Sequence, residues 1–311
     1  MERNQTVKSP SDGLELDVLE VLPDHGTVVG IVQIAHGMQE HKERYRDFMN
    51  YLASKGYAVV CADHRGHGKS IQCPEDLGYF YDESGDAIVE DLNAVQENLR
   101  QEYPGVPVFL IAHSMGTLVA RKYIQSYDDR ISALVLSGAV YKNPAAKPGK
   151  MLVNVIRAFK GDRYISKFVA NLVEGSFDKG IAGEQKNRWL SYNEENVDRF
   201  NADPICGKPF TLNGYANLLQ LVIDCYRKKG WVLKNPQLPI FFVAGAEDPV
   251  IGNAQQFMKM QQFLKDRGYQ NVAGKLYEKM RHEILNETDC QLVYEDIYTF
   301  LETQRKKSTL K

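Results

Sequence analysis

The stretch FLIAHSMGTLVARKYI, residues 109–124, decides the fold. An apolar run ends in Ala112-His113-Ser114-Met115-Gly116, and a helical pattern follows at once. This arrangement is typical of a nucleophile elbow, in which a strand turns into a helix so tightly that only small residues fit beside the serine. A plain strand–helix turn can also contain a serine, so the five-residue pattern alone is weak. The rest of the sequence has to decide between the two interpretations.

Apolar strands alternate with helical patterns along most of the chain. Strands are expected within residues 4–8, 15–22, 28–37, 58–70, 106–114, 131–139, 238–250 and 271–283. Helices are expected at 44–57, at about 85–102, after the elbow, at about 253–267 and at about 289–303. Continuous apolar strands between helices predict a parallel sheet covered on both faces, here mostly parallel and eight-stranded because a hairpin precedes it. The fold class is therefore α/β.

Residues 140–236, called the insertion below, interrupt this alternation. They contain no buried strand, and two segments, YISKFVANLV and YANLLQLVIDCYRKKGW, have helical spacing. The insertion follows the carboxyl end of a strand, where ligands bind in open α/β sheets. We expect a helical cap over the pocket, with residues 1–139 and 237–311 forming the core.

A serine nucleophile needs a base, and histidine is the usual one because its pKa lies near neutrality. Among the seven histidines, only His282 follows Ser114 with an acid-bearing strand end in between. This is the Ser, acid, His order of α/β-hydrolases. For the acid we favour Asp248, because the following proline pushes it to an extended backbone, and we keep Glu247 as the alternative.

An acyl-transfer intermediate also needs two N–H donors for its oxyanion. The backbone N–H of Met115 is one candidate, since it directly follows Ser114 at a helix N-terminus. The second candidate is the N–H of Met38, in the glycine-containing loop after residues 28–37. His36 in that loop is expected to be a structural hydrogen-bonding residue.

No metal or organic cofactor is expected. His64, Arg65 and His67 lie in DHRGHGKS, a spacing that fits a polar loop around glycines better than a metal site. The five cysteines are widely spaced and include no C-x-x-C pair, so neither a zinc site nor a redox motif is indicated.

The overall charge and hydropathy indicate a cytoplasmic protein. The formal net charge is −2, which offers no general attraction to nucleic acid. The first residues lack the apolar core of a signal peptide, and the apolar runs are shorter than the roughly 20 residues that span a bilayer. The sequence makes no prediction about the oligomeric state.

Five ordered motifs, AHGMQEHKERY, DHRGHGKS, IAHSMG, GAEDPV and YEKMRHEILNE, resemble the monoacylglycerol lipase and lysophospholipase group of α/β-hydrolases, within the serine aminopeptidase-like family. The resemblance covers roughly residues 10–303. It implies the α/β-hydrolase fold, the triad Ser114, Asp248 and His282, and oxyanion donors at Met38 and Met115. The family usually has glycine where this chain has Ala112, and the insertion departs most from the family.

The leading hypothesis is hydrolysis of a small-molecule acyl ester with a lipid-like chain, such as a monoacylglycerol or a lysophospholipid. The insertion could line an acyl channel and contact a membrane or micelle transiently, because it opens with an apolar group: Met151, Leu152, Val153, Val155, Ile156 and Phe159. A peptidase that binds a free ammonium group is the second hypothesis, with Glu194 and Glu195 available in an expected loop. A non-catalytic binding protein on the same fold is the third.

Overall fold

The chain forms one eight-stranded sheet in the computed structural model, which describes residues 1–309. The strands are β1 (Glu2–Lys8), β2 (Glu15–Val21), β3 (Gly30–Ala35), β4 (Tyr57–Ala62), β5 (Val108–His113), β6 (Ala133–Ser137), β7 (Ile240–Gly245) and β8 (Val272–Tyr277). Their order across the sheet is β1-β2-β4-β3-β5-β6-β7-β8. The pairs β1–β2 and β2–β4 are antiparallel and the other neighbours are parallel, which confirms the predicted fold class.

Helices cover both faces of the sheet. They are α1 (Arg46–Ser54), α2 (Ala87–Glu102), α3 (Met115–Tyr127), α4 (Ala146–Lys160), α5 (Lys167–Glu174), α6 (Glu194–Ala202), α7 (Leu212–Cys225), α8 (Ala254–Asp266) and α9 (Cys290–Thr309). Successive side chains of a strand point to opposite faces. In β5, Leu110 therefore packs in the cluster with α2, α3 and α8, whereas Phe109 packs in the cluster with α1 and α9. The buried central strands thus have apolar side chains on both sides.

The first helix is shorter than the predicted range 44–57. A 3-10 turn at Lys42–Tyr45 precedes α1, which ends at Ser54. Gly56 has a φ of +95°, a conformation that glycine adopts without steric cost. A glycine in this position ends the helix and lets the chain enter β4 directly.

The insertion contains four helices, α4 to α7, between β6 and β7. The two predicted helical segments correspond to α5 and α7, although α7 ends at Cys225. The expected loop around Glu194 and Glu195 is wrong, because both residues lie in the first turn of α6. The Asn193 side chain caps this helix by accepting a hydrogen bond from the Asn196 N–H. An asparagine followed by two acidic residues is a helix-start signal that the sequence contained.

The insertion packs unevenly on the sheet. Helix α7 packs against α3, where Lys122 and Asp224 form a buried ion pair of 2.9 Å, and its apolar side chains belong to the main core. Helices α4 and α5 instead expose large apolar side chains. The division into a core and a cap at residues 140 and 236 remains a proposal. Within residues 1–309, no helix combines the length and the hydrophobicity required to cross a bilayer.

Candidate active site

Ser114 lies at the sharp turn between β5 and α3. Its backbone has φ +51° and ψ −118°, a left-handed conformation that costs a non-glycine residue about 1–3 kcal/mol. The Ser114 N–H donates to the carbonyl of Ser137 on β6, at 3.0 Å. Gly116 lies so close to the Ala35 carbonyl that a Cβ there would overlap it. A residue without a side chain is therefore needed for α3 to approach the end of β3.

His282 and Asp248 are hydrogen-bonded at the same end of the sheet. Nδ1 of His282 lies 2.9 Å from Oδ2 of Asp248, and both side chains are almost fully buried. Asp248 follows β7 with an extended backbone, as its position before a proline predicts, and its Oδ1 accepts from the Val250 N–H. In the neutral ring the proton then belongs on Nδ1, which leaves Nε2 as the basic nitrogen.

Asp248 also sets the charge balance of the imidazole. Burial lowers the pKa of His282, but the Asp248 carboxylate, by its charge and its hydrogen bond, outweighs burial and raises the pKa above its ordinary value. The neighbouring His113 ring lies 4.5 Å from that of His282, and burial together with the His282 charge lowers the pKa of His113 well below its usual range. Of the two imidazoles near Ser114, His282 therefore takes up a proton more readily, and His113 stays neutral.

Gly138 is a site residue that the sequence analysis missed. It directly follows β6 and has a φ of +57°. A Cβ at this position would lie 2.8 Å from Cε1 of His282 and 3.2 Å from Oδ2 of Asp248. Only glycine leaves room for the pair. The available signal was a glycine immediately after a buried strand, at the sheet edge where the other site residues were expected.

The two predicted oxyanion donors flank Ser114. Met115 is the first residue of α3, and no preceding helical turn can accept its N–H. Within residues 1–309, the Met38 N–H has no hydrogen bond to a protein acceptor. The loop that contains Met38 lies against the serine, since a Cβ on Gly37 would be 3.2 Å from Cβ of Ser114. Met38 lines the same cavity as Ser114 and His282, and Met115 directly follows Ser114 in the chain.

This cavity has a volume of about 270 Å³, and residues of the insertion form much of its lining. The centre of the Trp189 ring lies 4.9 Å from that of the His282 ring, with the two planes tilted by 37°. Glu174, on α5, accepts hydrogen bonds at the same oxygen from Nε2 of Gln39 (2.8 Å) and from the hydroxyl of Tyr215 (2.5 Å). No lysine, arginine or histidine nitrogen in the described part of the chain lies within 4 Å of the Glu174 carboxylate. The cavity therefore combines an aromatic wall with an acceptor for hydroxyl or ammonium groups.

The alternative acidic residues lie elsewhere. Glu247 is exposed, and its carboxylate accepts a hydrogen bond from the Tyr192 hydroxyl rather than from His282. Glu194 and Glu195 are exposed on α6, and within residues 1–309 the cavity lining does not include them. The ammonium site suggested for a peptidase is therefore not formed by these two residues.

The histidines of DHRGHGKS pack behind the loop of His36, Gly37 and Met38, which is called the oxyanion loop below after its predicted role. The ring centroids of His64 and His67 lie 4.3 and 5.2 Å from that of His36. His36 accepts from the His64 N–H at Nε2 and bonds the Gly37 carbonyl through Nδ1, which is the structural role expected for it. Burial lowers the pKa of His64 to about 3 and that of His67 to about 4, so all three rings are neutral at pH 7.

Among residues 1–309, one group of side chains has spacing suited to a metal ion. It consists of His41, Asp203 and Cys206, whose ligand atoms lie within 4.8 Å of one another. The His41 Nε2–Asp203 Oδ2 distance of 2.9 Å is that of a hydrogen bond. Burial raises the pKa of the Cys206 thiol, so the thiolate that binds metals is disfavoured. The contacts fit a structural pair between the segment that follows the oxyanion loop and the insertion.

A model of the family described as serine aminopeptidase, S33, matches residues 26–289. The chain belongs to this family. Over 277 residues it is 27% identical to a monoacylglycerol lipase of Mycolicibacterium smegmatis, with 88% of each protein covered. Over 265 residues it is 26% identical to the monoglyceride lipase of Homo sapiens, covering 84% of this chain and 78% of that protein.

The S33 family member also resembles solved structures over its whole length. A thermostable carboxyl esterase from Bacillus coagulans, crystallised in complex with glycerol, matches with a TM-score of 0.90 at 25% identity. The match covers 98% of this chain and 99% of the esterase. The α/β-hydrolase fold, and the resemblance to the monoacylglycerol lipase group noted in the sequence, are thereby confirmed.

Proposed function

We propose that this S33 family member hydrolyses carboxylic esters of lipid-like substrates, foremost monoacylglycerols, through an acyl-enzyme on Ser114. It is a carboxylic ester hydrolase, as the named relatives are by their descriptions. The observation that carries the proposal is the hydrogen-bonded pair of His282 and Asp248 beside a strained serine in one cavity. In such an arrangement the imidazole is the base for the serine hydroxyl, and the carboxylate orients the imidazole and stabilises its protonated form.

The proposed reaction has two steps. Oγ of Ser114 attacks the ester carbonyl carbon while Nε2 of His282 takes its proton, and the N–H groups of Met38 and Met115 bind the resulting oxyanion. Collapse breaks the bond to the alcohol, which leaves with the proton from His282. Water then attacks the acyl-enzyme, again losing a proton to His282, and the carboxylic acid and free Ser114 are regenerated.

The cavity lining supports a neutral, hydroxyl-bearing alcohol group. Glu174 places a carboxylate in the cavity, and among residues 1–309 it has no ion-pair partner within 4 Å, although Lys186 also lines the cavity. The Glu174 carboxylate can therefore accept hydrogen bonds from hydroxyl groups. A second, largely apolar cavity of about 320 Å³ lies between α4, α5 and α7 and includes Leu152, Val169 and Leu172. Helix α5 borders both cavities, so we propose that the acyl chain passes beneath it.

A side-by-side assay tests this function. Purified protein is offered 1-monooleoylglycerol, oleoyl lysophosphatidylcholine, p-nitrophenyl esters from acetyl to palmitoyl, and proline p-nitroanilide. We expect turnover of the monoacylglycerol and of the medium- or long-chain p-nitrophenyl esters. Turnover that persists in Ser114→Ala counts as background. Ser126→Ala, an exposed serine on the same helix, is the matched control and is expected to retain full activity.

Each other outcome has a definite meaning. Turnover of the anilide alone would replace the esterase proposal by a peptidase, with Glu174 rather than Glu194 and Glu195 as the acid available in the cavity. Faster hydrolysis of lysophosphatidylcholine than of the monoacylglycerol would keep the mechanism and change the head group. Absence of Ser114-dependent turnover on all substrates would contradict the proposed function.

We also propose that α4 and α5 contact the lipid surface that holds the substrate. Their exposed apolar side chains include Met151, Val155, Phe159, Phe168 and Leu172, with Phe159 85% exposed. Val153, which the sequence placed with them, is buried instead. Residues 144–170 also contain six lysines and arginines against one aspartate, which favours an anionic membrane surface.

The double variant Phe159→Ser/Phe168→Ser is expected to weaken binding to phosphatidylcholine–phosphatidylglycerol vesicles about tenfold, because two large apolar side chains leave the interface. Hydrolysis of soluble p-nitrophenyl butyrate should stay within twofold. Vesicle cosedimentation and the soluble assay measure the two effects. Met258→Ser removes an equally exposed side chain from α8 and should change neither. Equal vesicle binding by all three proteins would contradict the lipid contact.

A further inference from the structure

A buried ion cluster lies next to His282 and is not used by the triad. It consists of Glu40, Arg44 and Glu283, whose side chains are each less than 10% exposed. Arg44 binds Glu283 with both terminal nitrogens, at 2.6 and 2.7 Å, and contacts Glu40 at 3.1 Å. Removing one partner of such a cluster leaves a buried charge without compensation, which is strongly destabilising. The three side chains are therefore expected to stay in contact in the folded protein.

One end of the cluster holds the proposed oxyanion loop. Oε1 of Glu40 accepts hydrogen bonds from the Gly37 N–H, at 2.5 Å, and from the Tyr45 hydroxyl, at 2.7 Å. Gly37 directly precedes Met38, whose N–H is the proposed donor. The Gly37 N–H belongs to the peptide before Gly37, and the Gly37 carbonyl, which shares a peptide plane with the Met38 N–H, is bonded by Nδ1 of His36. Glu40 therefore holds the loop from the Gly37 side, next to the peptide that carries the Met38 N–H.

The other end holds the loop of the base. Glu283 directly follows His282, and its carboxylate is bound by Arg44 from the opposite loop. Burial raises the pKa of Glu283, but the charge and hydrogen bonds of Arg44 outweigh burial and hold this pKa at about 2. Glu283 is therefore an anion at neutral pH. It is adjacent in the chain to His282 and bound to Arg44, which also contacts Glu40.

The insertion closes the same network. Asn196 on α6 donates to Glu283 at 2.7 Å and accepts from Arg44 at 3.0 Å. The Arg44 guanidinium also lies 4.8 Å from the ring centre of Phe200, within cation–π range. The Glu283 N–H donates to the Leu190 carbonyl at 2.7 Å. The loop that carries His282, the segment that carries Arg44 and the insertion therefore meet at the Glu283 carboxylate.

We propose that Glu283, through Arg44, is a positioning residue that keeps His282 and the oxyanion loop in the relative placement required for the transition state. The inference rests on the proposed function, because it concerns the same reaction. Misplacement of His282 or of the oxyanion donors weakens contacts that form mainly in the transition state and little with bound substrate. A positioning residue therefore affects the chemical step more than substrate binding. Loss of the Glu283 contacts should therefore lower kcat and leave KM nearly unchanged.

Two variants separate position from charge. Glu283→Gln removes the anion, and Arg44→Lys keeps the cation but loses the two-pronged guanidinium contact. Both are expected to lower kcat for p-nitrophenyl butyrate about 10- to 30-fold, with KM within twofold. The charged groups facing His282 are Asp248, Glu40 and Glu283 with its partner Arg44, and the His113 ring, whose pKa is far below its usual range, is a neutral neighbour. The acidic limb of kcat should therefore move to lower pH in Glu283→Gln and stay in place in Arg44→Lys.

Rates are expressed per active site by titration with a phosphonate inhibitor, and thermal unfolding is measured in parallel. Glu278→Gln, an exposed glutamate of the same loop, is the control and should match the wild type. If kcat per titrated site is unchanged in both variants, or if the loss only follows the folded fraction, Glu283 is structural and the inference fails. Wild-type protein without Ser114-dependent turnover would instead overturn the proposed function. Arg44→Lys keeps the test decisive if Glu283→Gln does not fold.

Discussion

Asp248→Asn is expected to lower kcat for ester hydrolysis about 10⁴-fold, while KM changes little. The asparagine amide would have nearly the same shape as the carboxylate, but it carries no charge and offers an N–H as readily as an oxygen. His282 could then hold its proton on Nε2, and that nitrogen would no longer accept the proton of Ser114. The imidazolium formed in the transition state would also lose the carboxylate now 2.9 Å from Nδ1.

The pH profile gives this prediction a second readout. A base with a raised pKa is protonated and inactive below that pKa, so wild-type kcat should rise with pH through a value above 6.5. In Asp248→Asn the stabilising charge is gone and burial, which favours the neutral ring, dominates. The acidic limb of its residual activity should move to lower pH. Stopped assays with p-nitrophenyl butyrate from pH 5 to 9 measure both kcat and the limb.

Glu247→Gln is the matched control, because it alters the neighbouring acid that the sequence left as an alternative. Glu247 is exposed and its carboxylate accepts a hydrogen bond from Tyr192 rather than from His282, so activity should stay within twofold. A large loss in Glu247→Gln together with near-normal Asp248→Asn would reverse the assignment of the acid. Equal, small losses in both would remove the carboxylate from the mechanism.

Local signals in the sequence predicted which residues would meet at this site. Ser114 directly follows β5, and Asp248 and His282 lie in the loops that follow β7 and β8. The carboxyl ends of parallel strands share one edge of the sheet. The alternation of apolar strands and helices was sufficient for the fold class. Pro249 also indicated the extended backbone of the residue before it. These inferences need only chain order and strand ends, which a single sequence contains.

The features that were missed depend on contacts distant in sequence. Arg44 and Glu283 are 239 residues apart, and neither lies in a pattern that indicates a charged partner. The need for glycine at position 138 arises from the His282 ring, which packs there only after β6 and the final loop have come together. The burial of Val153 likewise reflects its position on the inner side of α4, whereas the sequence showed only an apolar segment.

Acidification from pH 7 to pH 5 is expected to reduce the free energy of unfolding by several kcal/mol, largely through His36, His64 and His67. Burial holds their pKa values below the 6.5 of an unfolded chain, with added repulsion from neighbouring histidines at His36 and His64, and places the pKa of His64 at about 3 and that of His67 at about 4. Below pH 6.5 the unfolded chain therefore binds protons that the folded protein does not. Each such histidine costs about 2 kcal/mol at pH 5, since one pKa unit corresponds to about 1.4 kcal/mol.

The lowered pKa values determine the direction in which the free energy of unfolding changes with pH. The stabilising contribution is complete above pH 6.5 and is lost as the pH falls toward the folded-state values near 3 to 4. His282 has a raised pKa and acts in the opposite direction, but it is one group against these three, and His113, whose pKa burial also lowers, adds to them. Asp63 near His67 moderates the shift of that ring without reversing it. Stability should therefore fall with acidity before most carboxylates titrate.

Urea unfolding at pH 7, 6 and 5 measures this slope, and replacement of single histidines apportions it. His67→Phe places an apolar ring against Phe80 and Phe210, which already contact His67 edge-on. It should reduce the slope by the contribution of one histidine, because one fewer proton binds to the unfolded chain. His25→Gln removes an exposed histidine and should leave the slope unchanged. If the wild-type slope were flat between pH 7 and 5, or if His67→Phe kept the full slope, the buried histidines would be charged in the folded state. The oxyanion loop, which is bonded to His36, would then rest on a cationic cluster rather than a neutral one.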